Sequence, residues 1–178
     1  VPSCLSLYEY EFGMFKAVAH AETSEEKNDF YNSLRTAIDT VSVRFDVVLI
    51  DSPPALGMTS INIIVAADAL VVPTPPSLYD FASTTQFFEM LRRVLNSIAH
   101  EKRFDFIKVM PSKVDRSKGR SLDFLKIMQH QFTVVEYDSE GRREEKFITD
   151  NFFATTSAIP NTASYYKTVY HFSSEDRK

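Results

Sequence analysis

One cysteine, Cys4, leaves this sequence unable to form an internal disulfide, which fits a reducing compartment. No apolar run approaches the roughly 20 residues that a membrane-spanning helix needs. The opening Val1-Pro2-Ser3-Cys4-Leu5 also lacks the basic stretch before an apolar one that marks a signal peptide. A cytoplasmic protein without membrane contact is expected. Glycine is sparse as well: Gly13, Gly57, Gly119 and Gly141 are scattered, and none opens a G-x-x-x-x-G-K-S/T run. The backbone amides and lysine that such a run aims at phosphates are therefore not encoded here. His20, His100, His130 and His171 stand apart from one another and from Cys4, which excludes the usual ligand spacing of a zinc site. A net charge of -4 argues against blanket electrostatic binding to nucleic acid, although the field that matters is local.

What is present is the composition of a globular domain: 178 residues, 44% hydrophobic and 25% charged, enough to bury a substantial core. Val1 is not an initiator methionine, and Val-Pro-Ser reads as the end of a strand entering a turn, so residues upstream of it are expected. Thr23-Ser24-Glu25-Glu26 has the form of a capping box, and Phe30, Leu34, Ile38 and Val41 follow at helical spacing. A helix from Glu25 to about Val43 is predicted, preceded by one from Leu5 to His20 with Gly13 as its weak point. Further helices are predicted at Ser60–Ala67, Tyr79–His100 and Asp123–Gln131. Three apolar runs rich in β-branched residues, Phe45–Ile50, Ala69–Pro73 and Phe104–Met110, read as strands buried on both faces. Alternation of such strands with helices implies an α/β fold, a doubly wound and mostly parallel sheet flanked by helices. Beyond Gln131, strands are expected at Thr133–Tyr137 and Lys146–Thr149 around a charged turn at Asp138–Arg143, with a loop at Ala154–Asn161. One domain over residues 1–172 and a frayed tail over 173–178 complete the expectation.

The segment that carries chemistry is Phe45-Asp46-Val47-Val48-Leu49-Ile50-Asp51-Ser52-Pro53-Pro54. Ligands of open parallel sheets sit beyond the carboxyl ends of the strands. A carboxylate there can hold Mg²⁺ directly or through water, since Mg²⁺ prefers oxygen ligands and keeps several waters. The prolines stop the strand, and Gly57 admits an unusual backbone conformation before the next helix. The residue pattern alone favours an aspartate that simply caps a turn or a helix start.

The run continues through Ala55-Leu56-Gly57, Ile61-Asn62, Ala66-Ala67-Asp68, Val71-Val72-Pro73-Thr74-Pro75, Tyr79-Asp80-Phe81 and Gln86-Phe87-Phe88-Glu89-Met90-Leu91. That ordered series resembles the ParA/Soj/MinD group of deviant Walker ATPases, and within it the larger partition ATPases of low-copy plasmids. Val1-Pro2-Ser3-Cys4-Leu5 matches the I-P-S-C-L segment of those proteins. The resemblance is dense over residues 45–95 and thin beyond Met110. It implies a P-loop NTPase-like sheet, ATP and Mg²⁺ at the interface of a nucleotide-dependent homodimer, nonspecific DNA binding by the ATP-bound form, and a ParB-like centromere-binding partner that stimulates hydrolysis. The setting it implies is a bacterial, nucleoid-associated one. Carried across, Asp51 is the catalytic Walker B carboxylate acting on Mg²⁺, and Ser52, Pro53 and Pro54 form the switch loop that senses the γ-phosphate. The family's phosphate loop and its helix-turn-helix lie upstream of the Val-Pro-Ser segment, so the chain by itself is expected neither to bind ATP tightly nor to hydrolyse it.

Two weaker matches follow. In Met110-Pro111-Ser112-Lys113-Val114-Asp115, Ser112 and Lys113 occupy the place of a loop near the nucleotide base; an ordinary exposed loop fits equally well, and Pro111 departs from the pattern. In Tyr165-Tyr166-Lys167-Thr168-Val169-Tyr170, Lys167 matches a basic residue tied to DNA binding, and a solvated helix lysine is the alternative. Lys113, Arg116, Lys118 and Arg120 form a small basic cluster, readable as solvated or as a phosphate-contacting patch. A partition ATPase is thus set against a non-enzymatic interaction module on the same fold, or a related ATPase that positions another cargo.

Overall fold

A computed structural model describes residues 6–53, 57–98, 102–138 and 141–155. The expectations placed on residues 1–5, Pro54, Lys167, the far part of the Ala154–Asn161 loop and the tail lie outside the described residues. The elements run α1 (Ser6–His20), α2 (Ser24–Ser42), α3 (Met58–Ala66), β1 (Ala69–Thr74), α4 (Leu78–Ile98), β2 (Phe106–Pro111), α5 (Gly119–Gln131), β3 (Thr133–Asp138) and β4 (Gly141–Lys146). Helices alternate with parallel strands, as an α/β sheet requires. The described residues fall into two compact units, one drawn from Val1–Leu70 and Phe87–Phe106, the other from Val71–Gln86 and Ile107–Lys178.

In the first unit α1, α2 and α3 pack together. The capping box that starts α2 is formed: Glu26 N–H donates to Thr23 Oγ1 at 3.1 Å, and Thr23 N–H to Glu26 Oε2 at 3.3 Å. Two otherwise orphaned amides are satisfied in this way, one of them the cap residue's own. The apolar stripe of α2 is only half-buried, and Val41 is exposed, so this helix sits at the unit's margin. Met14, Ile63, Ile64, Ala66 and Leu91 form the buried apolar set. Within the same unit Asn62 is buried; its Oδ1 accepts from Ser33 Oγ at 2.9 Å, and its amide donates to the Met58 carbonyl at 3.2 Å. Tyr10 Oη meets the same Ser33 hydroxyl at 3.2 Å, so one polar chain links all three helices.

Arg35 of α2 fastens the turn between α3 and β1. Its guanidinium donates to the Ala66 carbonyl at 2.9 Å and to Asp68 Oδ1 at 2.7 Å, with Asp39 at 3.2 Å on the other side. Hydrogen bonding to Asp68 raises the Arg35 pKa, and Arg35 in turn lowers that of Asp68. Both side chains are well exposed, so water screens the pair and its value is mainly positional. Burial pushes the Lys102 ammonium below its ordinary value, against the opposing attraction of Asp68.

β1 and β2 pair with each other. The bonds at the two ends, Asp105 N–H to the Asp68 carbonyl at 2.8 Å and Ser112 N–H to the Thr74 carbonyl at 3.0 Å, advance in the same sense, so the pairing is parallel. The other edge of β2 is also used. Val109 N–H donates to Phe147 O at 2.7 Å and Thr149 N–H to Val109 O at 2.9 Å, and the chain continues alongside through Phe153 and Thr155. Val109 and Val114, bridged in parallel to Ile148 and Ala154, are fully buried. The extended segment expected at Lys146–Thr149 is therefore a parallel neighbour of β2 and not a hairpin partner of β3. That partner is β4, whose register sets Glu136 opposite Arg143 and Val134 opposite Glu145. The register ends with Asp138 opposite Gly141, which takes φ 123°. Arg142 and Arg143, expected in the charged turn, are in the ladder. A two-stranded hairpin has no face that must be apolar.

The run Phe45–Ile50 forms no strand, and this overturns the expectation of one buried on both faces. Phe45 is 64%, Val47 72% and Leu49 92% exposed. From Asp46 to Pro53 no backbone hydrogen bond joins the segment to any described residue. A parallel strand is stabilised by its ladder and by cover on both faces, and neither is supplied by the described residues.

Replacing Asn62 by alanine should lower stability by about 1–3 kcal/mol, because its hydrogen bonds to Ser33 and to the Met58 carbonyl are both lost. Urea denaturation of the variant checks this, and an unchanged midpoint would show that the polar chain does not hold the helices.

Candidate functional site

Asp51, Ser52 and Pro53 lie in the first unit, exposed and in extended, unpaired chain. The Asp51 carboxylate has no partner among the described residues. The carboxylate is thus open to solvent. That suits Mg²⁺, which takes one or two carboxylates and leaves the remaining positions to water and phosphate. No group of three or more His, Cys, Asp or Glu gathers among the described residues.

Gly57 is the N-cap of α3, with φ −92° and ψ −172°. That is extended backbone open to any residue, so the expected unusual conformation is absent. What glycine supplies is room: a Cβ here would run into the carboxylate of Glu11 on α1. Glu11 Oε1 also accepts from Thr59 N–H at 3.5 Å, which puts a negative group at the positive end of α3. Beside it the Thr59 hydroxyl is buried and has no hydrogen-bond partner. Glu11 was not identified from sequence. It sits on a helix distant along the chain, and no local pattern connects the two.

The second unit contains the carboxyl ends of β1 and β2. Thr74, buried at the last position of β1, shares a hydrogen bond of 3.0 Å with Thr84 of α4. Ser77 caps α4, accepting from Asp80 N–H at 3.2 Å, and its hydroxyl donates to the Asp80 carboxylate. Ser112 N–H is taken by the Thr74 carbonyl, which holds the chain at the end of β2 against the end of β1. Lys113 then turns outward with φ 52°, alone among described non-glycine residues in having positive φ. Val114 N–H returns to the ladder through the Phe153 carbonyl at 3.0 Å. Ser112 and Lys113 therefore stand directly after the carboxyl end of β2.

The basic cluster follows directly. Asp115 accepts from Ser117 N–H at 3.0 Å and Ser117 Oγ at 2.6 Å and pairs with Lys118 at 3.1 Å. The Ser117 hydrogen bond, reinforced by Lys118, holds its carboxyl below the ordinary range. The Arg116 guanidinium lies over the Phe152 ring, 5.1 Å from its centroid.

A sequence model of the family described as AAA domain matches residues 1–118. Protein SopA of Escherichia coli K12 is 37% identical over 119 residues, covering 67% of this chain and 30% of that protein. The chain thus spans about a third of the length of the curated relatives it matches. Among solved structures, one titled Partition Protein superposes with a TM-score of 0.64 at 21% identity, over 86% of this chain and 42% of that one. A cobyrinic acid a,c-diamide synthase from Mycobacterium smegmatis with bound ADP and magnesium gives 0.59 at 21% identity, over 77% and 51%. At such identities the superpositions establish the fold.

Left-handed backbone at a non-glycine residue is unfavourable, so Lys113→Gly should raise stability by about 0.5–1 kcal/mol. Thermal unfolding measures it, and a loss of stability would show that the Lys113 side chain makes a contact worth more than the strain.

Proposed function

We propose, because this chain belongs to the AAA-domain family of ParA-type partition ATPases, that it is the C-terminal part of an ATP-driven DNA-segregation protein. One observation carries the reading: the family match spans residues 1–118 and contains the apolar run that ends in Asp51. In this reading Phe45–Ile50 is a Walker B strand and gains its ladder in the complete protein, from the strand that leads into an upstream phosphate loop. Exposure of Val47 and Leu49 is what a strand without that neighbour would display. Residues 1–172 then belong to one α/β ATPase domain.

The Asp51 carboxylate orients Mg²⁺ directly or through water. When bound there, Mg²⁺ would supply charge neutralisation for phosphate chemistry. Ser52, Pro53 and Pro54 form the segment that changes on loss of the γ-phosphate, and Gly57 with Glu11 fixes where that segment rejoins α3. Ser112 and Lys113 border the base at the end of β2. The complete protein dimerises with ATP, binds DNA nonspecifically with Lys167 among its contacts, works with a ParB-like partner, and resides on the nucleoid. A second reading, a non-enzymatic module on the same fold, draws on the absence of any G-x-x-x-x-G-K-S/T run from the sequence.

Asp51→Ala in the complete protein should abolish Mg²⁺-dependent ATP hydrolysis. Phosphate release is the measurement, and unchanged turnover would remove the Walker B assignment.

A further inference from the structure

Helix α3 begins without a cap of its own. Its N-cap residue, Gly57, offers no side chain, and its first turn holds no acidic residue. Yet Gly57 already has the extended backbone of a capping residue, so serine or aspartate would meet no conformational bar there. What stands in the way is Glu11 of α1, whose carboxylate fills the space that a Cβ at Gly57 would need. The same carboxylate accepts from Thr59 N–H, an amide of the first turn that has no acceptor within the helix. Glu11 therefore caps α3 from another helix, with its charge at the positive end of the dipole. A cap carried by the helix itself is permanent, whereas one supplied by a second helix depends on where that helix stands. This one is also easily parted. Its bond of 3.5 Å is at the long limit for N–H to oxygen, and the Thr59 hydroxyl beside it stays buried and unsatisfied. The buried residues of α3 are Ser60, Asn62, Ile63, Ile64 and Ala66, while Gly57, Met58 and Thr59 are half-buried, so the start can loosen without opening the core.

We propose that Glu11 is a separable cap of α3 and, through it, the positioning residue for the segment that carries Asp51. Gly57 stands six residues after Asp51, and Pro53 and Pro54 fix φ at two of the positions between them. Setting where α3 begins therefore restricts where the Asp51 carboxylate can stand. A shift of α1 is passed along this route, because the cap travels with Glu11. The capping rests on local geometry; its consequence for Asp51 rests on the ATPase reading above.

Amide hydrogen exchange in this chain reads the cap. Ile61 N–H closes the first turn on the Gly57 carbonyl at 3.1 Å, and Ala67 N–H bonds the Ile63 carbonyl at 2.9 Å at the far end. Glu11→Ala should speed exchange at Ile61 roughly fivefold, the usual worth of a cap, and leave Ala67 within about twofold. Adding Gly57→Ser to Glu11→Ala should restore Ile61, since serine then has both the space and the backbone to cap locally. In the complete protein, Glu11→Ala should lower kcat for ATP about tenfold with KM unchanged, and the double variant should regain it. Unchanged exchange at Ile61, an equal change at Ala67, or failure of Gly57→Ser to rescue would each overturn the cap. An unchanged kcat would overturn the positioning role. A complete protein without ATP turnover, in which Ile61 still responds to Glu11→Ala, keeps the cap and loses the ATPase reading together with the role at Asp51.

Discussion

Backbone groups taken out of water must be paired, and the second unit is organised by the way β2 meets that demand. Its two edges are both occupied, one by β1 and the other by the chain from Phe147 to Thr155. With both ladders made, Val109 and Val114 can be fully buried, and α5 can place Leu125 and Met128 in the core. The carboxyl end of β2 is fixed by the same bonds, through Ser112 to Thr74 and Val114 to Phe153. The left-handed Lys113 and the turn before α5 both follow directly on that paired strand.

The first unit shows the converse. Phe45–Ile50 is as apolar as β2, yet it lies in solvent because no described strand pairs with it. Hydrophobic sequence creates a tendency toward burial, and hydrogen-bonding neighbours decide whether it is realised as a strand. The helices of this unit have another source of order. Ser33, Asn62 and Tyr10 supply a polar chain among them, and Arg35 ties α2 to the turn before β1. That framework needs no sheet, which is why α1 to α3 are formed beside an unpaired run.

Local signals account for what was legible before the structure. The hydroxyl and carboxylate of Thr23 and Glu26 announced α2, and the β-branched run at Ala69 announced β1. Long-range pairing was not legible. Nothing near Lys146 indicates that the following residues lie beside β2, and the charges of Arg142 to Glu145 obscured a strand whose register is set by Gly141. In the site, the order of residues around Asp51 pointed to the family, but Glu11 could be found only in three dimensions. Gly57 was noticed for the wrong physical reason, backbone freedom instead of space.

In the proposed reading Phe45–Ile50 becomes a paired strand in the complete protein, with Asp51 at its end. Amide hydrogen exchange at Val47 to Ile50, compared between this chain and the complete protein with ATP and Mg²⁺, addresses it directly. Exchange close to that of an open chain here, with strong protection in the complete protein, is the predicted result. Equally rapid exchange in both would contradict the account, because the segment would then be a surface loop and Asp51 an ordinary exposed carboxylate.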